Sequence, residues 1–446
     1  MQKRIFVLAM SSGLVLRIAL APISGHPFDM SVYFDTGQSI VAGRNFYGVT
    51  YYAYPPAWAA FLWVATVLYQ QLAGPLGAHP MPASLAQTIL GADVGAPFIA
   101  DWLFHTIVKT PLIVFDCFLA LLIRRVVAET FKRPDRANMA AVLFFLNPHV
   151  LWISGIWGTF DVLPTYFALA GTLLFLERRP VLSGLGFGLA VALKDFPILL
   201  LFALLLGYRN RLSRQFVGRL LFTMVGVLAA VSAPYAFLDW MAYAKGVLSP
   251  TGGVFVGNLS IWLVGNLAGL GNIPAWAAGL NIASIAIVIA VVSWVAGTRR
   301  DAGDSPAYWI DLCLVALLTF YTLFRIVNDQ YILWSIPFLT LNAALGRTPW
   351  QRVLAFSGVV ALAGVVNVAH YSFFLPILTI SASLAWLIPH FPYEPILRIV
   401  LALASWCWVV LLLRQAIRSA TGEGEVTKFL KGVWERLTFR RGRGVV

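Results

Sequence analysis

The chain has 446 residues, 60% of them hydrophobic and only 11% charged, with a mean hydropathy of +0.80. A soluble globular domain carries about 25% charged residues, so that class is excluded, and the absence of alternation in the apolar runs excludes a membrane β-barrel. The net charge of +13 comes from Lys and Arg flanking apolar runs, not from a basic, aromatic-rich soluble domain, which points to membrane topology and membrane lipids and away from nucleic acid.

An apolar run of about 20 residues can cross a hydrocarbon core of about 30 Å. Every backbone polar group there must be satisfied within its own segment, which selects helices. In chain order, spans are expected near 5–23, 104–127, 138–153, 162–176, 216–238, 274–297, 307–325, 329–345, 351–369 and 395–414. The first follows Lys3-Arg4 but is long enough to remain as an uncleaved span. Three stretches, 56–73, 181–208 and 372–389, are ambiguous by hydropathy.

The positive-inside rule arbitrates among them. With a cytoplasmic N-terminus, 56–73 in the plane of the membrane, 181–208 as a two-limbed hairpin and 372–389 at the outer face, 25 of the 32 Lys and Arg fall inside. The exceptions are Arg17, Arg44, Lys109, Lys194, Lys245, Arg325 and Arg398. The expected fold is therefore all-α, a polytopic integral membrane protein of about 12 transmembrane helices with both termini cytoplasmic. It divides into a membrane domain over 1–414 and a basic tail over 415–446. Residues 24–103 form a long first external loop containing an in-plane helix that begins at Tyr54-Pro55-Pro56, where proline suits a first turn. A second external loop covers 239–272. Within the tail, Val426, Phe429, Leu430, Val433, Trp434 and Leu437 at helical spacing predict an interfacial helix on anionic lipid.

Cys117, Cys313 and Cys407 all sit in apolar runs without paired spacing, so neither a disulfide framework nor a metal site is indicated. Ionisable groups at membrane depth are costly and become functional candidates by default. On this topology they gather toward the outer side: Asp29 and Asp35 after the first span, Asp161 at the head of another, Lys194-Asp195 at the hairpin tip, and Arg325, Asn328, Asp329 and Gln330 in one turn. Structural roles compete with function at several. Asp161 could cap its helix, Lys194 could snorkel, and Asn328-Asp329 could serve a turn. Lys109 and Asp116, about 10 Å apart along one helix face, are expected to contact other helices instead of each other.

The pattern Asp29-x-x-x-Tyr33, Gly43-x-x-Phe46-Tyr47 and Tyr54-x-Pro56 resembles the first external loop of GT-C glycosyltransferases. Further blocks follow in similar order: Lys109 to Phe115-Asp116, Asn147-Pro148, Trp157-Gly158-x-Phe160-Asp161, Gly188 to Lys194-x-x-Pro197, and Asn328-Asp329-Gln330-Tyr331-x-x-Trp334-x-x-Pro337. The branch that looks most similar holds the polyprenyl-phosphomannose-dependent mannosyltransferases and the first mannosyltransferase of GPI-anchor assembly. Several relatives carry a close acidic pair in the first loop, whereas Asp29 and Asp35 stand six residues apart.

The resemblance implies an active site on the non-cytoplasmic face of the cell membrane, or of the ER membrane in a eukaryote. It implies a polyprenyl-phosphate sugar donor and a lipid, glycan or protein acceptor, and leaves open an accessory subunit. Asp29 would be the general base. Tyr33, Asp35, Asp161, Lys194, Arg325, Asp329 and Gln330 would bind substrate, with Lys194 or Arg325 facing the leaving phosphate. A divalent metal, Mg or Mn, could be held partly by Asp35. Tyr51, Tyr52 and Tyr54 could stack on sugar. The competing class is a secondary transporter or lipid-linked sugar flippase, which calls for an internal repeat and charges at the bilayer midplane.

Overall fold

The computed structural model describes residues 3–91, 95–248, 257–263, 277–298, 307–367, 370–388 and 395–421. Helices dominate, as a chain that must satisfy its backbone inside lipid requires. Among the described residues the strands amount to a two-residue antiparallel pair, Met81–Pro82 with Phe98–Ile99, which closes part of the first loop. The tail helix expected over 425–440 lies outside the described residues, as do parts of the second external loop.

Among the described residues, six helices are long and apolar enough to cross a membrane by length and composition: Ala57–Leu76, Trp102–Thr130, Pro134–Trp157, Arg214–Leu238, Asn281–Thr298 and Ile396–Thr421. Shorter apolar helices cover Val162–Leu176, Pro180–Leu193, Pro197–Gly207, Tyr308–Leu323 and Trp350–Val366. The opening helix, Lys3–Leu20, carries Lys3, Arg4 and Arg17 yet shows an exposed apolar face at Ile5, Leu8, Val15 and Ile18.

Several expectations meet the structure with differences. The ambiguous 181–208 stretch does form two limbs, Pro180–Leu193 and Pro197–Gly207, of 14 and 11 residues. Both fall short of the roughly 20 residues that a crossing needs. The span expected over 329–345 is interrupted: one turn, Asp329–Ile332, precedes a separate helix, Ile336–Ala344. Pro337 in the first turn of that helix explains the break, since its ring and missing N–H oppose a continuous helix through the preceding turn. Residues 370–387 form two 3-10 segments, His370–Thr379 and Ala382–Leu387, and no span-length helix. The 56–73 stretch becomes Ala57–Leu76, whose 20 residues suffice to cross, so its length does not demand the in-plane placement. Within the expected loop, Phe28 to Val41 is helix as well: Pro27–Val41 runs 15 residues, with the His26 side chain accepting the Asp29 N–H as its N-cap.

Tyr308–Leu323 is the central helix. It is apolar all round and buried from Tyr308 through Thr322, as a helix enclosed by others must be. Arg214–Leu238 lies at the periphery, burying only Phe216 and Leu220 and exposing Phe222, Val225, Phe237 and Leu238. That contrast separates protein-facing from lipid-facing helices without reference to their sequence hydropathy.

Two ends can be told apart. At one, Arg136 donates to the Ala344 carbonyl at 3.0 Å, and the Arg124 guanidinium lies 5.6 Å from the Phe6 ring centroid. Arg178 donates to the Arg211 carbonyl at the base of the hairpin. The stretch Pro134–Trp157, helical to Phe145 and again from Pro148 after a break at Leu146-Asn147, leads from this basic end to the other, where Trp157 meets Asp29. Arg17, one of the cations outside the basic end, is neutralised internally: its Nε donates to Asp116 at 2.8 Å and its Nη2 to the Phe145 carbonyl at 2.7 Å. Lys109 is likewise consumed by structure. Its ammonium lies 2.6–3.0 Å from the carbonyls of Ser24, Gly155 and Ile156 and from the Ser24 hydroxyl. Lys109 and Asp116 thus contact other segments, as their spacing predicts.

Candidate active site

At the end away from the arginines, four segments converge: the start of Pro27–Val41, the Tyr51–Pro56 loop, the Trp157–Asp161 turn and the tip of the 180–207 hairpin. The turn depends on Gly158. Its φ of +86° is in the left-handed region, and a Cβ there would meet Met30 Cε at 2.2 Å, so only glycine fits. With that bend, the Trp157 carbonyl accepts the His26 N–H at 2.9 Å, and the Trp157 indole turns back toward the acid.

Asp29 is the accessible acid of the group, its side chain 17% exposed. Trp157 Nε1 donates to its Oδ2 at 2.6 Å. The His26 ring stacks on the same indole, centroids 4.7 Å apart. Burial holds His26 below the usual histidine range, with the Asp29 charge opposing. The neutral ring can therefore accept the Asp29 N–H through Nδ1 at 3.2 Å. The carboxylate is oriented from one side by an indole, and its backbone is fixed by an imidazole.

Asp161 sits deeper and is fully buried. One of its oxygens takes Lys194 Nζ and Trp334 Nε1, both at 2.7 Å, and the other takes the Thr159 hydroxyl at 2.6 Å. Lys194 is enclosed by the rings of Tyr54, Phe160, Tyr331 and Trp334, with centroids 5.0–5.8 Å from its nitrogen. Cation–π attraction and an ion pair thus compensate the charge inside a dry pocket. The capping role considered for Asp161 is not what its side chain does, because both of its oxygens are occupied by other side chains and make no cap hydrogen bond.

Tyr33 and Tyr54 lie near both acids. Tyr33 is buried between Trp58 and Phe160, and its hydroxyl has no hydrogen-bond partner among the described residues. Burial, then the neighbouring Tyr54, Asp29 and Asp161, pushes its pKa well above the usual phenol range, so it stays protonated and a donor. Tyr54 is raised in the same way by burial and then by Asp29, and its phenol is also reached by the Gln330 side chain.

Asp29, Tyr33, Asp161, Lys194 and Gln330 are therefore brought together. Asp35 is not: six residues along the helix from Asp29, it is displaced roughly 9 Å in rise and about 120° in direction. It is half-buried, and burial lifts its carboxyl against the pull of Arg44. No three His, Cys, Asp or Glu side chains gather as a metal-holding group among the described residues. Asp329 faces another wall, packed so that a Cβ on Gly364 would meet its Oδ2 at 2.8 Å. Arg325 follows the central helix, and its carbonyl accepts the Gly257 N–H at 3.0 Å. Of the three tyrosines expected to meet sugar, Tyr52 is buried and donates to the Pro55 carbonyl, which leaves Tyr51 and Tyr54.

The family model for glycosyltransferase family 87 matches residues 51–324. The chain belongs to glycosyltransferase family 87. No curated protein matches it. The matched region of this family 87 member contains Tyr54, Asp161 and Lys194; Asp29 and Gln330 reach the same site through the fold. Membership makes the chain a membrane glycosyltransferase, and the transporter and flippase readings give way to it.

His26, Trp157, Tyr331 and Trp334 belong to the site without having been singled out as functional. Trp157, Tyr331 and Trp334 stood inside the quoted sequence blocks, so their signal was position beside an acid or lysine, not residue type.

Proposed function

We propose that this family 87 enzyme has a GT-C architecture over 1–414 and transfers a sugar, with mannose the first choice, from a polyprenyl-phosphate donor. The acceptor is a lipid, glycan or protein hydroxyl, met on the non-cytoplasmic face. The observation that carries this reading is Asp29: a partly accessible carboxylate, oriented by Trp157 at 2.6 Å, at the head of an acid-and-tyrosine cluster. A base must be reachable by substrate and fixed in direction, and Asp29 meets both needs.

In an inverting displacement the acceptor oxygen attacks the anomeric carbon as its proton passes to Asp29. The bond from that carbon to the phosphate oxygen breaks, and polyprenyl phosphate leaves with the electron pair. The buried Tyr33 hydroxyl supplies an unused donor beside the reacting groups. Tyr51, exposed and 5.9 Å from the Phe28 ring, offers an aromatic face for sugar at the rim. Lys194 can assist the leaving phosphate only by sharing its ammonium with Asp161, which makes Arg325, at the end of the central helix, the second cation to test.

Asp29→Asn keeps the indole hydrogen bond but removes the base. We expect transfer from a polyprenyl-phosphate sugar to fall at least about 100-fold, with an unchanged melting temperature in detergent. The assay incubates purified protein with a panel of such donors and detects transfer by mass spectrometry. Near wild-type turnover in the variant would remove Asp29 from the mechanism.

A further inference from the structure

The basic end holds a cavity that the transfer reaction does not use. It encloses about 610 Å³ and is lined by Arg347, Arg352, Arg414 and Arg418, with Trp408 and Leu411 along one side. No acidic residue lines it among the described residues. Arg347 is tied down: its Nη1 donates to Asp311 at 2.7 Å and to the Ser419 hydroxyl at 3.3 Å. Arg352, Arg414 and Arg418 are exposed and make no ion pair or side-chain hydrogen bond among the described residues.

The helix Pro395–Thr421 explains the layout. Leu411, Arg414 and Arg418 recur at three- and four-residue spacing, which stacks them on one face. Trp408 and Leu411 lie toward the middle of the helix and the arginines toward its end, so the wall grades from apolar to cationic over about two turns. A headgroup-and-chain amphiphile has that same gradient. Arginine is also the side chain suited to phosphate, through its planar fork of donors.

This cavity is remote from Asp29. Trp406 on the same helix donates to the Thr322 carbonyl at one end of the central helix, whereas Ser419 donates to Asp311 at the other. About 11 residues of helix, roughly 16 Å, separate those contacts. The cavity shares its end with Arg136 and Ala344, away from the Arg325 turn.

We propose that this cavity binds the phosphate headgroup of an anionic membrane lipid from the leaflet opposite the transfer site, with the lipid chain along Trp408 and Leu411. Charge complementarity selects this occupant over the chain's own tail. Residues 422–446 carry six Lys and Arg against three Glu, so the tail as a whole is repelled by three arginines that make no ion pair among the described residues.

The test is native mass spectrometry of the full-length protein in detergent, titrated with phosphatidylglycerol or phosphatidylcholine. Wild type should retain phosphatidylglycerol at least tenfold more tightly than phosphatidylcholine. The triple variant Arg352→Gln/Arg414→Gln/Arg418→Gln should lose that preference while keeping its melting temperature. Equal retention by the variant overturns the proposal. Displacement of the lipid by millimolar inorganic phosphate would show a free-anion site, and binding seen only in a variant truncated after Thr421 would make the tail the occupant; either result overturns it too. If the triple variant unfolds, single Arg352→Gln and Arg418→Gln variants replace it, each expected to weaken retention at least threefold, and no loss in both counts against the site.

Discussion

Lys194 has five neighbours and one countercharge, and that imbalance makes it testable. With side-chain exposures of 4% and 0%, the Lys194–Asp161 pair is shielded from solvent. Removing one partner of such a pair destabilises by about 3–5 kcal/mol, because the other charge stays buried without compensation. Lys194→Ala should therefore lower the melting temperature and weaken donor binding together. Lys194→Met combined with Asp161→Leu removes both charges and should recover most of the stability without recovering transfer. A Lys194→Ala protein that melts like wild type yet binds no donor would instead assign the ammonium to substrate. Asp29, Asp161 and Lys194 were legible in the sequence because ionisable residues are conspicuous among apolar ones. His26, Trp157, Tyr331 and Trp334 were not, since in a chain with 14% aromatic residues each reads first as packing. Asp35, six residues from Asp29, points in a different direction once Pro27–Val41 is helical.

The position of Lys194 depends on the helix that ends before it. Pro180–Leu193 lies against Arg214–Leu238 so closely that a Cβ on Gly184 would meet the Leu220 carbonyl oxygen at 2.4 Å, and one on Gly188 the Val227 Cβ at 2.8 Å. Small residues four apart permit such an approach between helices in lipid, where packing replaces the hydrophobic effect as the driving force. Gly184→Leu should separate the two helices, lower the melting temperature by several degrees and reduce transfer through displacement of the Lys194 tip. Gly218→Ala, on the facing helix but with open space around its Cβ position, is the control and should change neither. Equal behaviour of the two variants would remove the packing argument. At this scale hydropathy and charge anticipated the short-limbed hairpin. They did not anticipate the break before Ile336 or the helical start of the first loop. Hydropathy reports how apolar a stretch is, whereas a proline and a capping histidine decide where a helix begins.

Among the described residues, the Arg136 end and the Asp29 site lie at opposite ends of Pro134–Trp157. The stretch Pro134–Trp157 has 24 residues, roughly 36 Å if straight, and joins the Arg136 end to the Asp29 site. That length is comparable with a hydrocarbon core of about 30 Å, and the proposed function expects the two ends on opposite faces, with the basic end cytoplasmic. On the proposed function, the lipid-linked sugar is taken from the outer leaflet and the basic side lies in the inner one. Single cysteines in a Cys117→Ser/Cys313→Ser/Cys407→Ser background test it. Tyr51→Cys, at an exposed position beside Phe28, should react in intact cells with a membrane-impermeant maleimide. Asp135→Cys, exposed beside Arg136, should react only after permeabilisation. Labelling of both from the same side would mean that the two ends do not straddle the membrane. The reversed pattern would place transfer on the cytoplasmic face, where a nucleotide sugar could replace the polyprenyl-phosphate donor.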